Sequence, residues 1–183
     1  MAPKKAPKKA PKKAAKKGLG PHHHEGSKDL RRAYEHLGRI EAIEPSLPES
    51  VRSQIAALTG LSQRSLNAGD ARSSAELLRA CEHIAFGSLA PAGKEPVSPA
   101  LREAIERHYE KLRDEAIDAH EEHDPGSVRD AFEWAFSMAD NAYARGSFRR
   151  ALEMIRAAAA LAHVHGDHVP DLPSPGKTKH LKQ

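Results

Sequence analysis

PESVRSQIAALTGLSQRSLNAGDARSSAELLRACEHIAFGSL, residues 48–89, is written a second time, without a gap, as PGSVRDAFEWAFSMADNAYARGSFRRALEMIRAAAALAHVHG at residues 125–166. A shift of 77 positions lays Pro48, Ser50, Val51, Arg52, Gly69, Arg72, Glu76, Arg79, Ala80 and Ala85 on Pro125, Ser127, Val128, Arg129, Gly146, Arg149, Glu153, Arg156, Ala157 and Ala162. Ten identities in 42 positions exceed coincidence, and apolar character survives where identity fails: Ile55 meets Phe132, Leu66 meets Tyr143, and Ile84 meets Leu161. The duplicated property is therefore a buried face, and repeats of this kind fix the architecture before any other feature does.

Each copy is preceded by a related segment. Arg32, Tyr34, Glu35, Leu37, Glu41, Ala42 and Ile43 match Arg107, Tyr109, Glu110, Leu112, Glu115, Ala116 and Ile117 after one deletion. Helical spacing runs through Leu30, Ala33, Tyr34, Leu37 and Ile40 after Ser27, and through Leu101, Ile105, His108, Leu112, Ala116 and Ala119 after Ser98 and Pro99. The second helix of each unit is expected to start at Ser50 or Ser127, whose hydroxyls suit a helix cap. Gly69 and Gly146 suit a left-handed helix end, with Asp70 or Ser147 capping the third helix. No stretch alternates with period two for long enough to make a strand.

The expected fold is therefore all-α, a six-helix bundle built from two tandem three-helix repeats with disordered ends. Its parts are a basic tail over 1–26, copy one over 27–90, a linker over 91–97, copy two over 98–169, and a second basic tail over 170–183.

Composition agrees. The 183 residues are 39% hydrophobic, but much of that is alanine and only eight residues are aromatic, so core elements must approach closely, which favours helix on helix. The single cysteine, Cys81, excludes a disulfide framework and reads as a small packing residue compatible with a reducing compartment. No apolar run approaches the roughly 20 residues that cross a bilayer, and no apolar segment follows Lys17 to complete a secretory signal. No membrane partner is expected. The expected location is the cytoplasm, with nucleoid association as its narrower form.

Charge divides sharply along the chain. Lys4, Lys5, Lys8, Lys9, Lys12, Lys13, Lys16 and Lys17 come in pairs, the first three behind prolines, a pattern that denies helical hydrogen bonds and spreads the chain by repulsion. Eleven of the 29 Lys and Arg lie in the two ends, leaving 18 against 23 Asp and Glu between Lys28 and Val169, so the net +4 belongs wholly to the ends. Eight lysines in one short stretch attract any polyanion by counterion release. With no aromatic among them they do not read base sequence.

Two resemblances follow from these residues. Asn141, Ala142, Tyr143, Gly146, Phe148, Ala151, Leu152 and Glu153 resemble the junction between the helices of a tetratricopeptide repeat; copy one keeps the glycine and has Ala71 at the aromatic position. The likeness covers about 35 residues in a unit of about 75, against a family period of about 34, and there is no closing proline. It implies a protein-binding scaffold. The lysine-rich start resembles the tails of linker histones and bacterial nucleoid proteins, which implies nonspecific nucleic-acid binding.

The expected function is thus that of a non-enzymatic interaction protein, with nucleic acid or another polyanion held by the lysines and a protein partner on the helical surface. Trp134, Arg149 and Arg156 are the expected partner-binding residues. Trp134 and Phe136 replace Ala57 and Thr59 of copy one, so at least one is a candidate exposed anchor. Arg149 and Arg156 belong to a charged row, with Glu153, that recurs as Arg72, Glu76 and Arg79; a solvated ion-pair ladder would give the same pattern.

Two alternatives rest on histidine. An up-down-up trio brings the ends of its first and third helices together, placing His120 and His123 near His163, His165 and His168, a donor set for zinc or nickel, although no cofactor is required by any recognised signature. Arg102 with His108, Arg31 with His36, and Arg156 with His163 have the spacing that the HEPN ribonucleases use, where histidine serves as acid or base and arginine steadies phosphate. Three hits show how little that spacing discriminates, and His108, on the apolar stripe, is expected to be buried or at the edge of the core.

Overall fold

Helix α3 (Ala71–Leu89) is the axis of the first half, packed against α1 (His22–Ile43) and α2 (Glu49–Asn67); α6 (Phe148–Ala162) is the axis of the second, packed against α4 (Pro99–Glu122) and α5 (Arg129–Ala144). The two axes pack on each other. The computed structural model describes residues 22–122 and 126–164, and the described chain is all-helical, with 3-10 turns at Glu44–Ser46 and Gly126–Val128.

Small residues let the axes meet closely. Leu77, Ala80, Cys81, Ile84 and Ala85 of α3 and Ala151, Ile155, Ala157, Ala158 and Leu161 of α6 are fully buried. At Gly87 an added Cβ would stand 2.9 Å from Met154 Cε, so even alanine would displace the end of the Met154 side chain. The crossing is also polar at one end: Arg150 of α6 donates to the carbonyls of Gly87 (3.1 Å), Ser88 (3.2 Å) and Ala90 (2.8 Å), satisfying the C-terminal acceptors that α3 leaves open. Cys81 is a packing residue here, and burial pushes its thiol up to about 12.

The two hairpin turns are built alike. Gly69 N–H donates to Leu66 O and Asp70 N–H to Ser65 O; Gly146 N–H donates to Tyr143 O and Ser147 N–H to Ala142 O. Each pair is the double bond of a Schellman turn, which needs the positive φ of Gly69 (87°) and Gly146 (73°). Asp70 caps α3 as expected, accepting from Ser73 N–H at 2.9 Å. Ser98 likewise accepts from Leu101 N–H ahead of α4.

Some expectations fail locally. Helix α1 begins at His22, inside the stretch read as tail. Neither Ser50 nor Ser127 caps its helix: α2 starts one residue earlier, behind Pro48, and Ser127 sits in the 3-10 turn with its hydroxyl buried and unpartnered among the described residues. His108 is exposed, because the inward line of α4 runs through Tyr109, Ala116 and Ala119 and rotates its neighbour outward. Trp134 and Phe136 are half-buried against the core rather than exposed; Leu101 (51% exposed) and Tyr34 stand out instead. No helix among the described residues is long and apolar enough to cross a membrane.

Candidate functional site

The α3–α4 linker is tied down over the start of α6. Ser147 Oγ donates to Ala92 O (2.7 Å) and Gly93 O (3.0 Å), and Glu95 N–H donates to Gly146 O (2.9 Å). The Ser147 hydroxyl is turned toward the linker and makes no cap bond to its own helix. A carboxylate from the linker replaces it: Glu95 accepts from Arg149 N–H at 2.8 Å and pairs with Arg149 Nε at 3.7 Å, an anion placed at a helix N-terminus where the dipole favours it. Lys94 lies across Gly146 so closely that a Cβ there would meet its Cγ at 3.2 Å.

Two clefts open on either side of this strap. The first, about 420 Å³, is lined by Lys94, Glu95, Arg102, Tyr143 and Arg145 among others. The second, about 520 Å³, shares Lys94 and Glu95 and adds Arg149 with the apolar Leu101, Ile105 and Leu152. Both fall in the size range of small-ligand sites, roughly 300–1,000 Å³. The Tyr143 ring is held between Tyr109, stacked at 4.3 Å, and the edge of Phe148 at 5.9 Å. Partial burial, together with the nearby Glu106 and Glu110 carboxylates and against the opposing charge of Arg102, holds its hydroxyl above the ordinary tyrosine range.

A second polar group crosses the middle of the molecule. Glu82, 7% exposed, accepts from His36 Nδ1 and from Arg39 Nη1 (3.2 Å), joining α3 to α1. Its sequence neighbour His83 bonds Glu153 through Nδ1 at 2.7 Å, and Arg156 Nη1 donates to the other oxygen of Glu153 at 2.7 Å. Burial would raise the Glu153 carboxyl, but the hydrogen bonds and charge of His83 and Arg156 outweigh it and hold the group below the usual carboxylate range. Arg156 Nη2 also donates to His108 Nε2 at 3.4 Å, so α3, α6 and α4 share one chain of polar contacts.

Of the expected partner residues, Arg149 lines the second cleft, Arg156 lies in the polar chain, and Trp134 packs on the core away from both. The ribonuclease spacings do not form pairs of their own: Arg31 binds Glu35 (3.5 Å), Arg102 binds Glu106 (2.9 Å), and Arg156 reaches His108 instead of His163. His120 stacks on Phe132 at 4.1 Å and keeps a buried Nδ1 without a partner among the described residues. His163 caps the end of α6. His123, His165 and His168 lie outside the described residues, as do Lys4, Lys5, Lys8, Lys9, Lys12, Lys13, Lys16 and Lys17. Among the described residues no group of three or more His, Cys, Asp or Glu is placed to hold a metal ion.

Sequence reading missed the linker. Residues 91–97 have no repeat counterpart and look like a spacer, yet they supply Lys94 and Glu95. The one available signal was the Lys94–Glu95 pair inside a Pro- and Gly-rich segment that has no need of charge. No protein-family model, no curated protein and no solved structure matches this chain.

Proposed function

We propose that this is a non-enzymatic binding protein in which the lysine-rich first seventeen residues hold nucleic acid, or another polyanion, without reading sequence, while the helical body serves as a scaffold that receives a protein. The observation that carries this reading is the partition of charge: eight lysines stand before the first helix, and the stretch from Lys28 to Val169 has more acids than bases. The scaffold half of the proposal treats the two trios as one duplicated unit, a reading supported by the matched hydrogen bonds of the turns at Gly69 and Gly146. The test is removal of residues 1–17. Binding to a DNA duplex at low salt is expected to weaken steeply while helical content and melting stay unchanged; a shortened chain that still binds as tightly refutes the assignment.

A ribonuclease reading rests on one contact, Arg156 with His108 on different helices. Under it, His108→Ala lowers RNA cleavage by the full chain without unfolding it. RNA left intact by the unaltered chain removes the reading.

A further inference from the structure

We infer that the cleft between the linker strap and the start of α6 binds a phosphate ester, presented by a nucleic-acid strand or by a free nucleotide, through Lys94, Arg145 and Tyr143. The inference deepens the nucleic-acid reading above by giving the body its own contact.

Three cations and one carboxylate line the first cleft, on a body whose formal charge is negative. The carboxylate, Glu95, is already engaged by the amide and guanidinium of Arg149. Arg102 is engaged by Glu106. Lys94 and Arg145 form no ion pair among the described residues and so keep their donors for a ligand. Their backbone positions are set in advance. Lys94 rides on a backbone strapped by Ser147 and Gly146, and Arg145 is the C-cap of α5, at the turn itself. A backbone already held in place loses less freedom on binding than one that must be ordered at that moment.

The donors suit phosphate better than carboxylate. An ammonium, a guanidinium and a phenol offer more donors, spread more widely, than two carboxylate oxygens can accept, whereas a phosphate monoester presents three terminal oxygens on a tetrahedral centre and a strand's diester two, with two bridging oxygens beside them. The Tyr143 hydroxyl adds one further donor, and Arg102 offsets the Glu106 and Glu110 carboxylates that stand near it. A volume of about 420 Å³ leaves room for a sugar beyond the phosphate.

The experiment uses the full chain, the full chain with its first eight lysines changed to Gln, and the full chain carrying Lys94→Ala with Arg145→Ala. Inorganic phosphate, AMP and a single-stranded oligothymidylate are titrated into each, following the backbone amide signals of Lys94, Arg145, Gly146 and Ser147. AMP and the oligonucleotide are expected to move these signals in both the unaltered and the Lys→Gln chains. The double alanine variant is expected to bind AMP about tenfold more weakly, the loss of charge-assisted hydrogen bonds, with an unchanged circular dichroism spectrum. Signals moved by AMP as well as by the oligonucleotide identify the phosphate ester as the ligand; signals moved by the oligonucleotide alone identify a strand. No movement with any probe, or equal AMP affinity in the double variant, overturns the cleft. A Lys→Gln chain that binds the oligonucleotide at full strength overturns the role of the first seventeen residues and leaves the cleft standing.

Discussion

Tyr34 and Tyr109 hold matching places in the first helix of each half, yet Tyr34 is 63% exposed and Tyr109 is 3% exposed. The difference lies in the helix opposite. Tyr109 stacks on Tyr143 and donates its hydroxyl to Asp140 at 2.7 Å, and Asp140 also receives Arg113, whose guanidinium lies 5.2 Å over the Phe136 ring. The matching positions of α2 carry Leu66 and Gln63, and Gln63 spends its amide on Asn67. With neither a ring to stack on nor a carboxylate in the place of Asp140, Tyr34 stays out and a recess of about 90 Å³ remains between α1 and α2. A repeated residue is thus buried only where its partner changed with it. Half two is aromatic and hydrogen-bonded where half one is aliphatic and open.

The comparison breaks most readily at the tyrosines. Tyr109→Ala is expected to cost about 3–5 kcal/mol, the scale for removing a buried aromatic, whereas Tyr34→Ala stays within about 0.5 kcal/mol, as exposed substitutions do. Chemical denaturation of the two variants checks this; equal losses would show that both tyrosines pack alike in solution.

The turns come next. Gly69→Ala strains only a positive φ, about 1 kcal/mol or somewhat more, since an added Cβ there meets nothing within 4 Å. Gly146→Ala carries the same strain and also meets the Lys94 side chain at 3.2 Å. Its melting temperature is expected to fall further than that of Gly69→Ala, and hydrogen exchange at Glu95 N–H to quicken as the strap lifts. A larger loss at Gly69 contradicts the strap.

The smallest effect concerns pH. The folded state depresses the Glu153 carboxyl, so the stability this group contributes is present above the unfolded value of about 4.3 and is lost as pH falls through the lower folded value. Glu153→Gln therefore flattens the acid limb of a stability–pH curve. Its repeat counterpart Glu76, joined only to Arg79 on its own helix at 3.4 Å, serves as the control. An acid limb left unchanged by Glu153→Gln would place the depression elsewhere.

These contrasts mark what a sequence can and cannot disclose. Helix count and the hairpin turns at Gly69 and Gly146 follow from period and punctuation, which local residues write openly. Contacts between elements distant in sequence are not written that way. Arg150 caps α3 from α6, Glu95 caps α6 from the linker, and Glu82 is buried with His36 and Arg39, while the repeat counterparts of Arg150 and Glu82 are Ser73 and Ala159. Such polar pairs occur in one half only, so matching the two halves of the sequence does not reveal them. The cleft shared this fate: of its cations only Arg102 had drawn notice, and for a different pairing. A one-residue misreading of phase was enough to place His108 inside instead of Tyr109.

The separation of a positive beginning from an acidic helical body is tested most directly by the salt dependence of duplex DNA binding. Apparent affinity is measured between low and physiological salt for the full chain and for the chain with its eight early lysines changed to Gln. The full chain is expected to give a slope of log K against log salt of about −7, the value for eight neutralised phosphates, and the Lys→Gln chain about −2 or shallower. Equal slopes in the two chains would mean that the folded body carries the binding, and would contradict the account.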